Sequence, residues 1–282
     1  MPGNTVRIIP RLDIKGPDLV KGIHLEGLRV LGNPEAFAQF YYEEGADELF
    51  YMDVVASLFG RNSLAEIISK TAKNIFIPLT VGGGLRTIAD IQKVLHAGAD
   101  RVCINTAAIK KPELIREASL QFGASTIVVA IEAVKQPDGK YLAFIDNGRE
   151  FTGVEVLGWA KKVEELGAGE IILTSVDREG TGEGFDVDLI RNVAAGLNIP
   201  LIAHGGAGSL SDVEMAIKAG ASAAAVASIL HYDFISKNKT EAKAEGNTEF
   251  LNSNRQFKKI IPTTIKNIKN HLKESGVECR IT

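Results

Sequence analysis

A glycine-centred pattern occurs twice in this chain of 282 residues, and its two copies keep a constant register. The first runs Val81-Gly82-Gly83-Gly84, then Asp90, Ala97-Gly98-Ala99 and Asn105-Thr106. The second runs Gly205-Gly206-Ala207-Gly208, then Asp212, Ala219-Gly220-Ala221 and Ala227-Ser228. Gly83 to Gly205 and Thr106 to Ser228 are each 122 positions apart. A register held over that distance points to a duplicated half-domain. Each copy reads as strand, glycine turn, helix and strand, the arrangement that builds a backbone N–H cradle for phosphate. One glycine cluster alone is as often a plain turn; two equivalent ones favour two phosphate sites. Gly83, Gly84, Asn105 and Thr106 would form one, and Gly205, Gly206, Ala227 and Ser228 the other.

Short apolar runs alternate with amphipathic stretches along the whole chain. Strands are expected over 6–14, 48–54, 77–81, 101–104, 126–133, 170–175, 201–204 and 223–227. Helices are expected to begin near Pro34, Ser63, Thr87, Lys111, Gly153, Asp186, Ser209 and Pro262, with Thr87 and Ser209 as N-caps. Eight strand–helix units favour a closed (β/α)8 TIM barrel made of two (β/α)4 halves, a single domain over 1–282. Pattern alone also admits an open doubly wound sheet, but two four-unit halves close symmetrically. Gly45-Ala46-Asp47-Glu48-Leu49 and Gly167-Ala168-Gly169-Glu170-Ile171 repeat the same offset and put a glutamate at the bottom of a strand in each half. Residues 134–150, with Pro137-Asp138-Gly139, read as a hairpin over the barrel mouth. Residues 233–260, rich in Lys, Asn, Glu and Ser, read as a mobile insertion. Ile261, Ile265, Ile268 and Leu272 then recur at helical spacing and predict a last helix docked on the wall.

A net charge of −3 gives no basic surface for a nucleic-acid backbone. No apolar run approaches the roughly 18 residues of a membrane span, and the first residues lack the pattern of a signal peptide. Cys103 and Cys279 sit in dissimilar contexts, an apolar strand and a polar tail, so no disulfide is expected and a cytoplasmic location fits.

In a barrel, chemistry gathers at the C-terminal ends of the strands. Those ends carry Asp13, Asp53, Asn105, Glu132, residues 174–177, His204 and Ser228. Asp13 and Glu132 end the first strand of each half, so they should face each other across the mouth. That suits acid–base work on an elongated substrate with a phosphate at each end.

Ile8-Ile9-Pro10-Arg11-Leu12-Asp13-Ile14-Lys15, Val20-Lys21-Gly22, Val81-Gly82-Gly83-Gly84, Ile104-Asn105-Thr106-Ala107-Ala108 and Gly167-Ala168-Gly169-Glu170-Ile171-Ile172-Leu173-Thr174-Ser175 together resemble the cyclase subunit of imidazole glycerol phosphate synthase. The likeness runs from about Val6 to His231 and resumes in the last helix. It implies a cytoplasmic barrel that pairs with a glutaminase subunit as a heterodimer and takes ammonia through its core. The ammonia reacts at the top with a bis-phosphorylated ribulosyl aminoimidazole nucleotide, giving imidazole glycerol phosphate and an aminoimidazole carboxamide ribotide. The resemblance implies no metal and no organic cofactor. It makes Asp13 and Glu132 the catalytic carboxylates and Lys21 a loop lysine at the substrate. Thr174, Glu179, Gly180 and His204 join the residues of the second phosphate site. Arg7, Glu48, Arg101 and Glu170 become a charged ring gating ammonia at the bottom, and strand alternation independently puts Arg7 and Asp13 on one inward face. An ordinary bottom-face salt-bridge cluster is the alternative for that ring.

Four positions depart from the resemblance. Glu132 and Glu179 stand where the family has aspartate, His204 where it has a small serine, and Arg11 where it has cysteine. A guanidinium beside Asp13 would pair with it, and a paired carboxylate is a poorer proton carrier. Alternatively Arg11 could bind an anionic group of a different substrate. Three functions therefore stand open at this level: the cyclase; an ammonia-accepting synthase subunit that aminates or amidinates a sugar nucleotide for a surface polysaccharide; and a non-catalytic phosphosugar-binding scaffold. The sister phosphosugar isomerase shares the duplicated barrel, but the charged ring speaks against it.

Overall fold

The strands of the first half feed directly into those of the second until the sheet meets itself. In chain order they are β1 (Arg7–Lys15), β2 (Asp18–Ile23), β3 (Glu26–Gly32), β4 (Leu49–Asp53), β5 (Leu79–Gly82), β6 (Arg101–Ile104), β7 (Ile127–Lys135), β8 (Tyr141–Ile145), β9 (Glu150–Glu155), β10 (Glu170–Ser175), β11 (Leu201–His204) and β12 (Ala223–Val226). The computed structural model describes residues 5–56, 64–238 and 259–280. β1, β4, β5, β6, β7, β10, β11 and β12 run parallel, each pairs with the next, and β12 returns to β1. This closed ring, with helices between its strands, is the expected (β/α)8 barrel. β1 and β7 are four strands apart either way round, so Asp13 and Glu132 end diametrically opposed strands.

Alternation splits the apolar residues into two cores. Ile9, Phe50, Cys103, Val128, Ala130, Ile172, Ile202, Ala223 and Ala225 point inward and line the bore. Their neighbours, such as Ile8, Leu12, Tyr51 and Val129, face the helices. Both cysteines are free.

The duplication is visible in backbone detail. Thr87 and Ser209 each close a capping box, with Asp90 and Asp212, on the helices Ile88–His96 and Leu210–Lys218. Asn105 (φ −128°, ψ −82°) and Ala227 (φ −130°, ψ −80°) share one unusual conformation ahead of the helices Thr106–Lys110 and Ser228–Lys237.

Several boundaries differ from expectation, each for a local reason. Gly153 lies inside β9; the helix starts at Val156, capped by the Glu155 carboxylate, which accepts from the N–H groups of Leu157 (2.9 Å) and Gly158 (2.7 Å). Near Lys111 a separate short turn, Thr106–Lys110, precedes the helix Glu113–Phe122. Ser63 is outside the described residues, and the helix after it begins at Ala65. The expected insertion starts too early: Asp233 to Lys237 complete the helix Ser228–Lys237, where Phe234 is buried against Phe37. Residues 239–258 of that insertion are outside the described residues.

The last helix runs Ile265–Glu274 behind the N-cap Thr264. Ile265, Ile268 and Leu272 are fully buried, each contributing about 2 kcal/mol. Ile261 does not join them. It is 64% exposed, and its N–H donates to Gly208 O (2.8 Å) in an extended segment before the cap. Lys269 fastens the helix from inside, donating to Gly45 O (2.8 Å) and Asp47 Oδ1 (2.7 Å).

Two antiparallel excursions rise from the mouth. β1 turns back into β2 and β3, and β7 turns back into β8 and β9. The second was expected as a hairpin and gains a third strand; the first was not expected. Among the described residues no helix is long and apolar enough to cross a membrane.

Candidate active site

Each glycine turn follows a barrel strand because nothing larger fits there. Gly83 has φ +102°, and a Cβ on it would collide with the carbonyl oxygen of Asp53. Gly206 has φ +111° and is pressed equally close to Gly184, whose N–H donates to Gly206 O (2.8 Å). Bare backbone at a turn lets N–H groups converge on an anion. The first cleft is lined by Gly83, Gly84, Asn105 and Thr106 together with Glu132 and Asn147. A second is lined by Gly205, Gly206, Ala227 and Ser228 together with Lys21, Glu179, Gly180 and His204. Both predicted sets are thus brought together, on opposite sides of the barrel. Thr174 lines neither of these two clefts; it is buried beside His204, with Oγ1 3.0 Å from Nδ1.

Along and between the clefts lies a dense group of buried charges. Arg11 is 2% exposed and points into the bore above Phe50, with its guanidinium carbon 6.0 Å from the ring centroid. Its Nε donates to Asp13 Oδ1 (2.9 Å), and its Nη1 lies 3.1 Å from His204 Nδ1. The expected Arg11–Asp13 pairing is therefore present. Lys21 pairs with Glu179, and both are buried. Glu132 accepts a hydrogen bond from Gly148 N (2.7 Å). Burial pushes its carboxyl up to about 7, against the opposite pull of that N–H, Arg11 and Asn105. A carboxyl that titrates near neutrality can both give and take a proton. Burial, reinforced by Arg11 and Lys21, holds the His204 imidazole well below its usual range, so it is neutral.

The two excursions meet above this group. Leu25, at the tip between β2 and β3, is buried; its N–H donates to Glu179 Oε2 (2.9 Å), and its carbonyl accepts from Asn147 Nδ2 (3.0 Å). His24 donates through Nδ1 to Val176 O (2.9 Å). On the other side, Asp146 N donates to Thr106 Oγ1 (3.1 Å), which ties the turn between β8 and β9 to the first cleft.

At the opposite end of the bore, Arg7, Glu48, Arg101 and Glu170 form a closed ring. Glu48 pairs with Arg7 (2.9 Å) and Arg101 (3.3 Å); Glu170 pairs with Arg101 (2.5 Å) and also with Arg7. The carboxylates are almost fully buried, while Arg7 and Arg101 keep side-chain exposures of 29% and 15%. Thr80 donates to Glu48 as well. Burial raises the Glu48 carboxyl, opposed by Arg101, Thr80 and Arg7.

Residues 7–236 match the model of a family described as histidine biosynthesis protein. The chain belongs to that family. Its relatives in the family include the imidazole glycerol phosphate synthase subunit HisF of Legionella pneumophila, 54% identical over 209 residues, which are 74% of this chain and 99% of that protein. The protein of the same name from Natranaerobius thermophilus is 44% identical over 276 residues, 98% of each chain. That of Lactococcus lactis is 47% identical over 230 residues, 81% of this chain and 89% of that protein.

Within this histidine biosynthesis family member, the expected glycine-turn residues come together at the mouth, and the roof over them was not expected. Leu25, Asn147 and Gly148 were not singled out, although Gly148 holds Glu132 and Asn147 joins the two excursions. A signal was there: Asp146, Asn147 and Gly148 have φ of 51°, 62° and 75°, and Asp-Asn-Gly is a sequence suited to consecutive left-handed positions. Thr80 was missed because its role depends on the rim of another strand.

Proposed function

We infer that the chain is the cyclase subunit of imidazole glycerol phosphate synthase, acting in histidine biosynthesis as a lyase with a glutamine amidotransferase partner. What carries this reading is the pair of equivalent glycine clefts on opposite sides of one barrel mouth, with Asp13 and Glu132 between them. A bis-phosphorylated ribulosyl aminoimidazole nucleotide would span the mouth with one phosphate in each cleft. Backbone N–H groups at Gly83, Gly84 and Thr106 would take one phosphate, and those at Gly205, Gly206 and Ser228, with Lys21, the other. The reacting centre then lies between the carboxylates, and fixing both ends places it. Glu132 exchanges protons near neutrality, while Asp13, bonded to Arg11, stabilises positive charge as ammonia adds and the imidazole ring closes. The excursions above exclude water.

Ammonia made by the glutaminase partner would reach the mouth through the bore. Neutral ammonia suits the apolar lining from Ile9 to Ala225, and the ring of Arg7, Glu48, Arg101 and Glu170 would be its lower gate. The test is direct. Purified protein given the aminoimidazole nucleotide and an ammonium salt at alkaline pH should release imidazole glycerol phosphate and aminoimidazole carboxamide ribotide in equal amounts. A folded protein that forms neither product, with or without Glu132→Asp, would remove this reading.

Arg11 favours a second reading. Its bond to Asp13 occupies one carboxylate, so ammonia could pass through the same barrel to another acceptor, a sugar nucleotide to be aminated or amidinated. In that case glutamine hydrolysis by the partner would be coupled to a sugar nucleotide and not to the aminoimidazole substrate.

A further inference from the structure

His204 ends β11 at the rim of the second cleft, and only one edge of its ring is held. Nδ1 faces Arg11 Nη1 at 3.1 Å and Thr174 Oγ1 at 3.0 Å. A guanidinium has five N–H donors and no lone pair. Nδ1 must therefore be the accepting nitrogen, its one lone pair shared between the Arg11 N–H and the Thr174 hydroxyl. A proton on Nδ1 would point at a charged donor, and burial with Arg11 and Lys21 nearby already keeps the ring neutral. The single ring proton is left on Nε2, a nitrogen that makes no hydrogen bond to the described residues.

The Nδ1 edge is thus taken up inside the barrel, so the edge His204 gives to the second cleft is the one bearing Nε2–H. The other titratable groups around it are Lys21 and Glu179, which pair with each other, and Arg11, which pairs with Asp13. None of them competes for Nε2–H as an acceptor in the structure. Gly205, Gly206, Ala227 and Ser228 complete the wall with small side chains. The imidazole N–H is a directional donor added to a cradle made otherwise of backbone.

We propose that His204 is a specificity-determining ligand of the second cleft, a fixed neutral donor through Nε2–H to the oxygens of a phosphate monoester, with Arg11 as the positioning residue that sets its tautomer. This rests on the reading of the cleft as a phosphate site. The guanidinium polarises the ring it donates to, strengthening the N–H on the far side. Because the donor is neutral and its proton is fixed, it contributes equally across the physiological pH range, unlike a histidine with an ordinary pKa of about 6.5.

The experiment is long-range proton–nitrogen NMR of the full chain labelled with nitrogen-15 histidine, with the His204 signals identified by their loss in His204→Gln. Between about pH 6 and 8 the wild type should show the neutral Nε2–H tautomer. Arg11→Lys, which still donates to Nδ1, should keep it, and Arg11→Met should release it to a mixture. Inorganic phosphate should shift Nε2 strongly and Nδ1 little. In calorimetry His204→Ala should weaken the site about tenfold to a hundredfold, and His204→Gln, whose amide reaches the position of Nε2, should restore much of that. A proton on Nδ1, or a charged ring at neutral pH, overturns the tautomer and the proposal. Phosphate binding without movement of Nε2, in protein whose first cleft is blocked by Gly83→Ala, overturns the role of His204 and leaves the second cleft standing. No phosphate binding, with the tautomer as described, overturns the phosphate reading of the cleft and the proposal with it.

Discussion

Glu132 makes the fold itself sensitive to pH in a window that can be measured. Its ordinary carboxyl value of 4.5 is pushed up to about 7 by burial. At about 1.4 kcal/mol per pH unit, ionising it in the folded chain costs about 3 kcal/mol more than in the unfolded chain. The sign follows from the raised value: the folded state holds the proton more tightly. The contribution is fully present below the unfolded value and is lost as pH rises through about 7. Glu132→Gln keeps an oxygen to accept from Gly148 N–H but cannot ionise. Unfolding free energies from urea titration at about pH 5 and pH 8, for wild type and variant, isolate this group because every other titration cancels. Wild type should lose about 2–3 kcal/mol more than Glu132→Gln between the two pH values. Parallel losses in both proteins would show that Glu132 is solvated, and would remove it as a proton carrier tuned to neutrality.

Two other perturbations test the frame around the site. Gly83→Ala places a Cβ against the Asp53 carbonyl at φ +102° and should cost about 1–3 kcal/mol in thermal unfolding, with loss of phosphate binding in the first cleft. Gly139→Ala, at φ +86° with open space around it, should cost about 1 kcal/mol and leave binding intact. Lys269→Met keeps the stem that fills the seam under the last helix but removes the one cation paired with Asp47 among the described residues, at 2.7 Å and 4% side-chain exposure, leaving its carboxylate the Ile8 N–H (2.8 Å). Chemical denaturation should show a loss of about 3–5 kcal/mol; a loss below about 1 kcal/mol would mean the pair behaves as a screened surface bridge.

What the chain disclosed in advance follows from locality. The eight barrel strands were legible because each is a short apolar run between turn residues, and the two clefts were legible because a duplicated register marks equivalent positions without any knowledge of contacts. Alternation along β1 placed Arg7, Arg11 and Asp13 on one face, as found. It could not say that Arg11 reaches across the bore to His204, since that contact joins residues 193 positions apart. The excursion of β2 and β3 escaped notice because its register slips twice, between Leu19 and Val20 and between Lys21 and Ile23, which blurs a two-residue period. The helix Ser228–Lys237 was not expected, and its last turn was taken into the insertion because Asp233 and Lys237 look like the polar run that follows, yet they pair at 2.7 Å across one helical turn. Polar composition described those residues correctly and their conformation wrongly.

The contact between Leu25 and Asn147 has a consequence for timing. The strand excursions it joins are hung on β1 and β7, opposite staves of the barrel, and neither can swing without parting from the other. Access for a large nucleotide, and departure of two products, both require this latch to lift. The Asn147–Leu25 hydrogen bond and the hold of Glu179 on Leu25 must break together with the Lys21–Glu179 pair, which belongs to the second cleft. Opening of this kind runs on the microsecond-to-millisecond scale and commonly sets the pace of an enzyme. The tempo of turnover in this barrel would then be set at two loop tips that lie above the barrel strands.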